Sequence, residues 1–239
     1  MSFISSLLRS ASRNKVRDER HRHSIQLWRD RPKPDRRQRI ADSRFVVVDV
    51  ETTGLDIRLD RLISIGACRV ERGAIALADT LEVVLRQPAP SADENILVHR
   101  IGGSEQLNGV EPADALIAFL EFAGHDPLEG FNADFDHVMI DRALDDVLGV
   151  RTDSTWFDVS PLARALLPAR HPGEQTLDAW CGIAGIGNYH RHSALADALA
   201  TAQLLMVVID AAPSQRIETI AGLEALERGQ RWLEKVGGR

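Results

Sequence analysis

The sequence predicts an α/β domain in which a mixed central β-sheet is flanked by helices, and three observations carry this. The segments FVVVDV, RLISIGACRVERG and AIALADTLEVVLRQ follow one another as strands, the last two with alternation and with Gly73 between them, as in an antiparallel meander. Beyond them, helical and strand patterns take turns, which calls for helices layered on a sheet. The chain has 239 residues and is 44% hydrophobic, enough for one sizeable core or a core with an appendage.

The elements follow in order. Residues 1–43 begin Ser-rich, carry scattered Arg and the RPKPDRR punctuation, and show little apolar periodicity, which predicts a basic, flexible extension, largely disordered or locally helical. Trp28 and Leu27 within it mark a small docking element. From Phe45 the strand pattern begins, because β-branched Val46, Val47 and Val48 suit a pleated surface. After the three strands and a polar connection, PADALIAFLEFAG has helical spacing. PLEGFN reads as a short strand and ADFDHVMIDRALDDVLG as a helix that Gly149 caps. A further short strand, TWFDV, leads into SPLARALLP, and helices follow around TLDAWCGIAG, SALADALATAQLLMVVIDAA and QRIETIAGLEALERGQRWLEKV. The predicted organisation is an extension over 1–43, the main domain over 44–212, and a C-terminal helix over 213–239, packed on the domain or appended to it.

The net charge of −6 hides an asymmetry. Residues 1–44 hold 13 Lys and Arg against 5 Asp and Glu; the rest hold 16 against 30. A body so acidic binds nucleic acid poorly by bulk charge, so phosphate contacts must come from metal ions, local Arg or Lys, or the basic arm. Cys68 and Cys181 are the two cysteines, far apart in sequence, which fits a reducing cytoplasm and neither a disulfide framework nor a thiolate metal site. The first 17 residues are acid-free and rich in Arg and Ser, the composition of an organellar transit peptide, but the basic character continues past Asp18 and Glu19. The apolar segment ALADALATAQLLMVVID is broken by Asp197, Thr201, Gln203 and Asp210, so it reads as a buried helix and no membrane partner is expected.

VVVDVETTG places Asp49 and Glu51 directly after three valines. Strand side chains alternate, so the two carboxylates share a face and repel. Taken alone, such a triplet is most often a strand end with two solvated acids. The alternative is a site for a hard divalent cation, which prefers oxygen ligands and offsets the repulsion. Partners elsewhere decide. GFNADFDHVMID sets Asn132 at a strand end and Asp134 and Asp136 at a helix start, where the positive helix end favours carboxylates and capping alone could account for one of them. YHRHSALADA sets His192 five residues before Asp197, so both can face one cleft, although a single His at a helix start is more often a surface residue.

Together these motifs resemble the DEDDh 3′–5′ exonucleases, the family typified by the proofreading epsilon subunit of bacterial DNA polymerase III. The resemblance covers about residues 45–210 and rests on VVVDVETTGLD, NADFD and HSALAD in that order, joined by LISIGACRV and TLDAWCGIAGI. It implies a ribonuclease H-like fold in which Asp49, Glu51, Asp136 and Asp197 hold two divalent cations, Mg²⁺ or Mn²⁺, with Asp49 bridging them. It makes His192 the general base, a role suited to an imidazole because that group titrates near neutrality. His190 and His171 are set aside because His192 alone has the five-residue spacing to Asp197. By resemblance, Thr52, Thr53, Gly54 and Leu55 line the pocket for the 3′-terminal nucleotide, with Leu55 against a base, and Asn132 orients the backbone near Asp136. Taken alone, that loop reads equally well as an ordinary turn, and Asn132 as a turn former. Two departures stand out: Phe131 where the family often has His, and Asp134 where it usually has a small residue, expected to point outward.

The implied activity is metal-dependent removal of nucleoside 5′-monophosphates from a 3′ end, single-stranded DNA preferred over RNA. A DNA polymerase or another replication or repair protein is the expected partner in trans. RNA-directed relatives share the motifs, so the sugar stays open. A phosphatase of the haloacid dehalogenase type also begins with an apolar strand and DxxxT, but its second acid is normally Asp where this chain has Glu51. A non-catalytic accessory module is the remaining alternative, and the five intact catalytic positions argue against it.

Overall fold

The central strand is apolar on both faces because it is covered on both. In a computed structural model that describes residues 18–167, 176–187 and 191–237, strand β1 (Arg44–Thr52) lies at the middle of a five-stranded sheet of order β3-β2-β1-β4-β5. It pairs antiparallel with β2 (Leu62–Glu71), which pairs antiparallel with β3 (Ala74–Val84). On its other edge it pairs parallel with β4 (Leu128–Gly130), and β4 with β5 (Trp156–Asp158). The expected mixed sheet is therefore present. Phe45 and Val47 face one core and Val46, Val48 and Val50 the other, so the run of valines serves two layers at once.

One layer holds α1 (Glu19–Arg29), α4 (Pro112–Ala123) and α5 (Asp134–Leu148), the last closed by Gly149 at φ 65°. The other holds α6 (Val159–Leu166), α7 (Leu177–Ala184), α8 (Ala194–Ala211) and α9 (Ile220–Gly237). The polar connection after β3 contains two short helices, α2 (Asp93–His99) and α3 (Gly103–Leu107), which the pattern did not foretell. Helix α8 is long and apolar enough to cross a membrane by length and composition, and it packs across β1 and β2. Cys68 and Cys181 are buried and unpaired.

Over its described part the basic extension forms a helix, one of the two readings of its sequence, and packs on the body. Ile25 and Trp28 of α1 are buried in the first core, and the Trp28 indole N–H donates to the Gly124 carbonyl at 2.8 Å. The His125 ring lies 2.9 Å from the Trp28 carbonyl on one side and 2.6 Å from Asp153 on the other. Residues 36–40 then run beside the start of α9, with Ile40 N–H donating to Glu218 and Ala221 N–H to Arg36. Two large apolar anchors in a charged helix produce no periodicity, and long-range contacts of this kind leave no local signature. Residues 1–17, which carry the transit-peptide composition, lie outside the described residues, as do His171 and His190.

At its C-terminal end the chain folds back onto the same body. Ile220 and Leu223 of α9 are buried in the second core, and Arg164 of α6 pairs with Glu234 at 2.7 Å.

Candidate active site

Three chain segments meet at the C-terminal end of β1. Asp49 and Glu51 project from that strand toward α8. Across the pair, Asp49 faces Gly66 of β2, where an added Cβ would lie 2.1 Å from the Ala194 carbonyl carbon and the Leu195 nitrogen. Gly66 thus lets the first turn of α8 settle onto the sheet, and that turn carries Asp197. As a result, carboxylate oxygens of Asp49, Glu51 and Asp197 lie within 4.8 Å of one another.

Asp136 reaches the same strand from the opposite layer. The Val46 N–H bonds Pro127 across the β4 edge, but β4 ends at Gly130, so the Val50 N–H finds no strand partner there. The Asp136 carboxylate, in the first turn of α5, accepts that N–H at 3.0 Å. The short strand thereby creates the place that the acid fills.

Crowding sets the protonation of these groups. Burial, and then the charges of Asp136, Asp197 and Glu51, push the Asp49 carboxyl well above the usual range. Burial pushes Glu51 up to about 7, with Asp197 adding to it. Burial pushes Asp136 up to about 8, against the backbone hydrogen bonds that favour its charged form. Three buried carboxyls that resist being charged, with the Asp197 carboxylate beside two of them, are the hard oxygen donors that a divalent cation suits, so the residues fit such an ion.

His192 precedes α8 at φ 64°, and its backbone N–H donates to Asp197 Oδ2 at 3.0 Å. Its exposed side chain lines a cleft of about 440 Å³ with Ser64, Glu82, His99, Arg100 and Arg191. The five-residue spacing seen in sequence thus joins His192 to Asp197 through the main chain.

The loop after Glu51 is organised by a residue the sequence did not single out. Asp60 accepts the Thr53 hydroxyl and the Asp56 N–H, each at 2.8 Å, and its carboxylate lies 2.5 Å from where a Gly54 Cβ would sit. Gly54 is needed for that close approach. Arg142 of α5 donates to the carbonyls of Ile57 and Asp60, and Asn95 of α2 to that of Thr53. The Thr52 hydroxyl turns back to the Gly54 carbonyl at 2.6 Å, and Leu55 is left 86% exposed at the loop tip.

Asn132 turns the chain from β4 into α5 at φ 58°, its N–H held by Asp158 at 2.9 Å. Asp158 and Glu227 in turn hold Arg231 of α9, whose Nη1 lies 2.7 Å from Asp134. Asp134 therefore points outward, its side chain 80% exposed, and the extra acid is matched by a cation from the C-terminal helix. Sequence reasoning also missed Arg191, next to His192, whose Nη1 lies 2.6 Å from Asp197 Oδ1.

Residues 46–205 match the RNase T family model, described as exonuclease. PolC-type DNA polymerase III of Thermotoga maritima is 28% identical over 186 residues, which are 78% of this chain and 13% of the polymerase. The enzyme of Clostridium perfringens is 31% identical over 167 residues, 69% of this chain and 11% of that one. The chain thus spans roughly one eighth of the length of the curated relatives it matches. Among solved structures, E. coli Exonuclease I in complex with a dA16 oligonucleotide superposes with a TM-score of 0.61 at 19% identity, over 72% of this chain and 42% of that one. Exonuclease X in complex with 5′ overhanging duplex DNA gives 0.54 at 22% identity, over 70% and 91%. These likenesses establish the ribonuclease H-like fold. Because the family match takes in well over half of its length, the chain belongs to the RNase T exonuclease family.

Proposed function

We propose that this chain is a metal-dependent 3′–5′ exonuclease that removes nucleoside 5′-monophosphates from single-stranded DNA in preference to RNA. The observation that carries this reading is the meeting of the Asp49, Glu51 and Asp197 carboxylates within 4.8 Å at the end of the central strand, beside Asp136. Asp49, Glu51, Asp136 and Asp197 would hold two divalent cations, Mg²⁺ or Mn²⁺, which would supply the positive charge that phosphodiester cleavage needs.

The chain's own groups do the rest. His192 takes the proton of the attacking water; what supports this is its place beside the cluster, where its N–H is fixed to Asp197. Thr53 and Gly54, held by Asp60, form the floor against which the terminal nucleotide sits, and exposed Leu55 packs on its base. Thr52 holds the turn, and Asn132 keeps the start of α5, with Asp136, at the strand end.

The neighbours of this fold include nucleases bound to DNA oligonucleotides, which supports DNA over RNA. The relatives are polymerases in which the matched part is 13% of the chain, so the further proposal is that this domain works with a DNA polymerase, in the cytoplasm. The substrate reading is tested by giving the protein matched 5′-labelled DNA and RNA oligomers with Mg²⁺ or Mn²⁺. Faster shortening of DNA supports it, and equal or faster loss of RNA overturns the preference.

A further inference from the structure

The acidic cluster already has a cation of its own. Arg191 sits one residue before His192, with Nη1 2.6 Å from Asp197 Oδ1 and Nε 2.9 Å from Asp178 Oδ1 on α7. The two acids differ in kind: the Asp197 side chain is 6% exposed, and that of Asp178 is 59% exposed at the rim. One guanidinium is thus shared between a carboxylate inside the cluster and a carboxylate outside it.

An arginine does not lose its charge in any ordinary pH range, so it cannot leave Asp197 by deprotonation. The other Asp197 oxygen accepts the His192 N–H at 3.0 Å. A divalent ion that takes Asp197 as a ligand therefore meets a fixed like charge within hydrogen-bond reach of its own ligand atom. Coulomb repulsion at such separations is large where water is excluded. Asp178 already lies 2.9 Å from Nε, which makes no hydrogen bond, so the guanidinium can close onto this carboxylate when it leaves Asp197.

We infer that Arg191 is the resident counter-cation of the metal-binding cluster, and that an incoming divalent ion displaces it from Asp197 onto Asp178, so that this exchange sets the affinity of the site for metal. The inference rests on the metal-site reading of Asp49, Glu51 and Asp197, and not on the identity of the substrate or the direction of cleavage. It also gives the metal-free protein a reason to hold its acids together, because the guanidinium offsets part of their mutual repulsion.

The test is Mn²⁺ binding by calorimetry on the full, metal-stripped chain at fixed pH and low salt. Arg191→Gln is expected to bind Mn²⁺ roughly tenfold more tightly than the parent, the scale of one charge-assisted hydrogen bond and its repulsion removed. Asp178→Asn, at an exposed side chain where folding is not at risk, removes the second resting place and is expected to bind Mn²⁺ several-fold more weakly. Adding Asp49→Asn to Arg191→Gln abolishes the tight binding if the ion is at this site. Unchanged or weaker Mn²⁺ affinity in Arg191→Gln overturns the inference, as does unchanged affinity in Asp178→Asn or a parent and variant that both fail to bind. Opposite shifts in the two variants without any nuclease activity would end the exonuclease reading and leave this one standing. Nuclease activity with unshifted affinities does the reverse.

Discussion

Asp49, Glu51 and Asp136 are held where burial, and then neighbouring carboxylates, make each of them harder to ionise, and that has a measurable cost. Burial places the folded values of Glu51 at about 7 and of Asp136 at about 8, whereas unfolded carboxyls titrate near 4. The folded chain therefore binds more protons than the unfolded chain across this window. The stability these groups contribute is complete below about pH 4 and is lost as pH rises through about 7 to 8. Melting of the metal-free protein should accordingly fall from pH 5 to pH 8.5, less steeply in Glu51→Gln, and the rise in Tm on adding Mn²⁺ should grow with pH. A parent and a Glu51→Gln protein with parallel profiles would contradict this. His192→Gln keeps the backbone bond to Asp197, so metal binding should persist while kcat falls roughly 10²- to 10⁴-fold. Loss of both together would show that the ring has a structural role. The acids and His192 were legible in sequence because strand alternation and helix spacing bring them together; Arg191, Asp60 and Arg231 were not, since each acts through a partner that only the fold supplies.

At the level of elements, the site depends on how closely α8 lies on β2. Gly66→Ala places a methyl group against the backbone of Ala194 and Leu195, which must move. The expected result is a loss of about 1 to 3 kcal/mol in urea unfolding together with weaker Mn²⁺ binding, because Asp197 retreats from Asp49. Wild-type metal affinity in a folded Gly66→Ala protein would remove this role. The N-terminal helix makes the opposite case. Trp28 is the larger of its two anchors, so Trp28→Ala should cost about 3 to 5 kcal/mol and expose the amides of residues 19–29 to exchange, with metal affinity unchanged. The β-meander, the helix closed by Gly149 and the later helices could be read from period and punctuation. Helices α2 and α3 escaped because five to seven residues carry too little periodicity, and α1 was only one of two readings because its anchors are two side chains meeting distant residues.

For the molecule as a whole, the question raised by its charge is where phosphates are held. The basic segment is partly spent within the fold: Lys33 pairs with Asp153, Arg36 with Glu224 and Arg44 with Asp126. With those cations engaged and an acidic body behind them, metal-free binding to single-stranded DNA should be weak and its salt dependence shallow. The slope of log affinity against log salt should correspond to no more than about two phosphate contacts. A steep slope in chelator would locate the binding in the basic segment instead. The charge asymmetry was plain in sequence, but its neutralisation was not, because ion pairs between residues far apart in the chain leave no pattern. In the proposed function the four acids and His192 form one metal-dependent site that consumes a strand from its 3′ end. Its most direct test is a time course on a 5′-labelled DNA single strand, with a free or a blocked 3′ end, in Mg²⁺ and in chelator, for the parent and for Asp49→Asn. The account predicts a ladder shortening one nucleotide at a time, seen only with the parent, the metal and the free end. Internal fragments, cutting of the blocked strand, or an undiminished ladder from Asp49→Asn would contradict it.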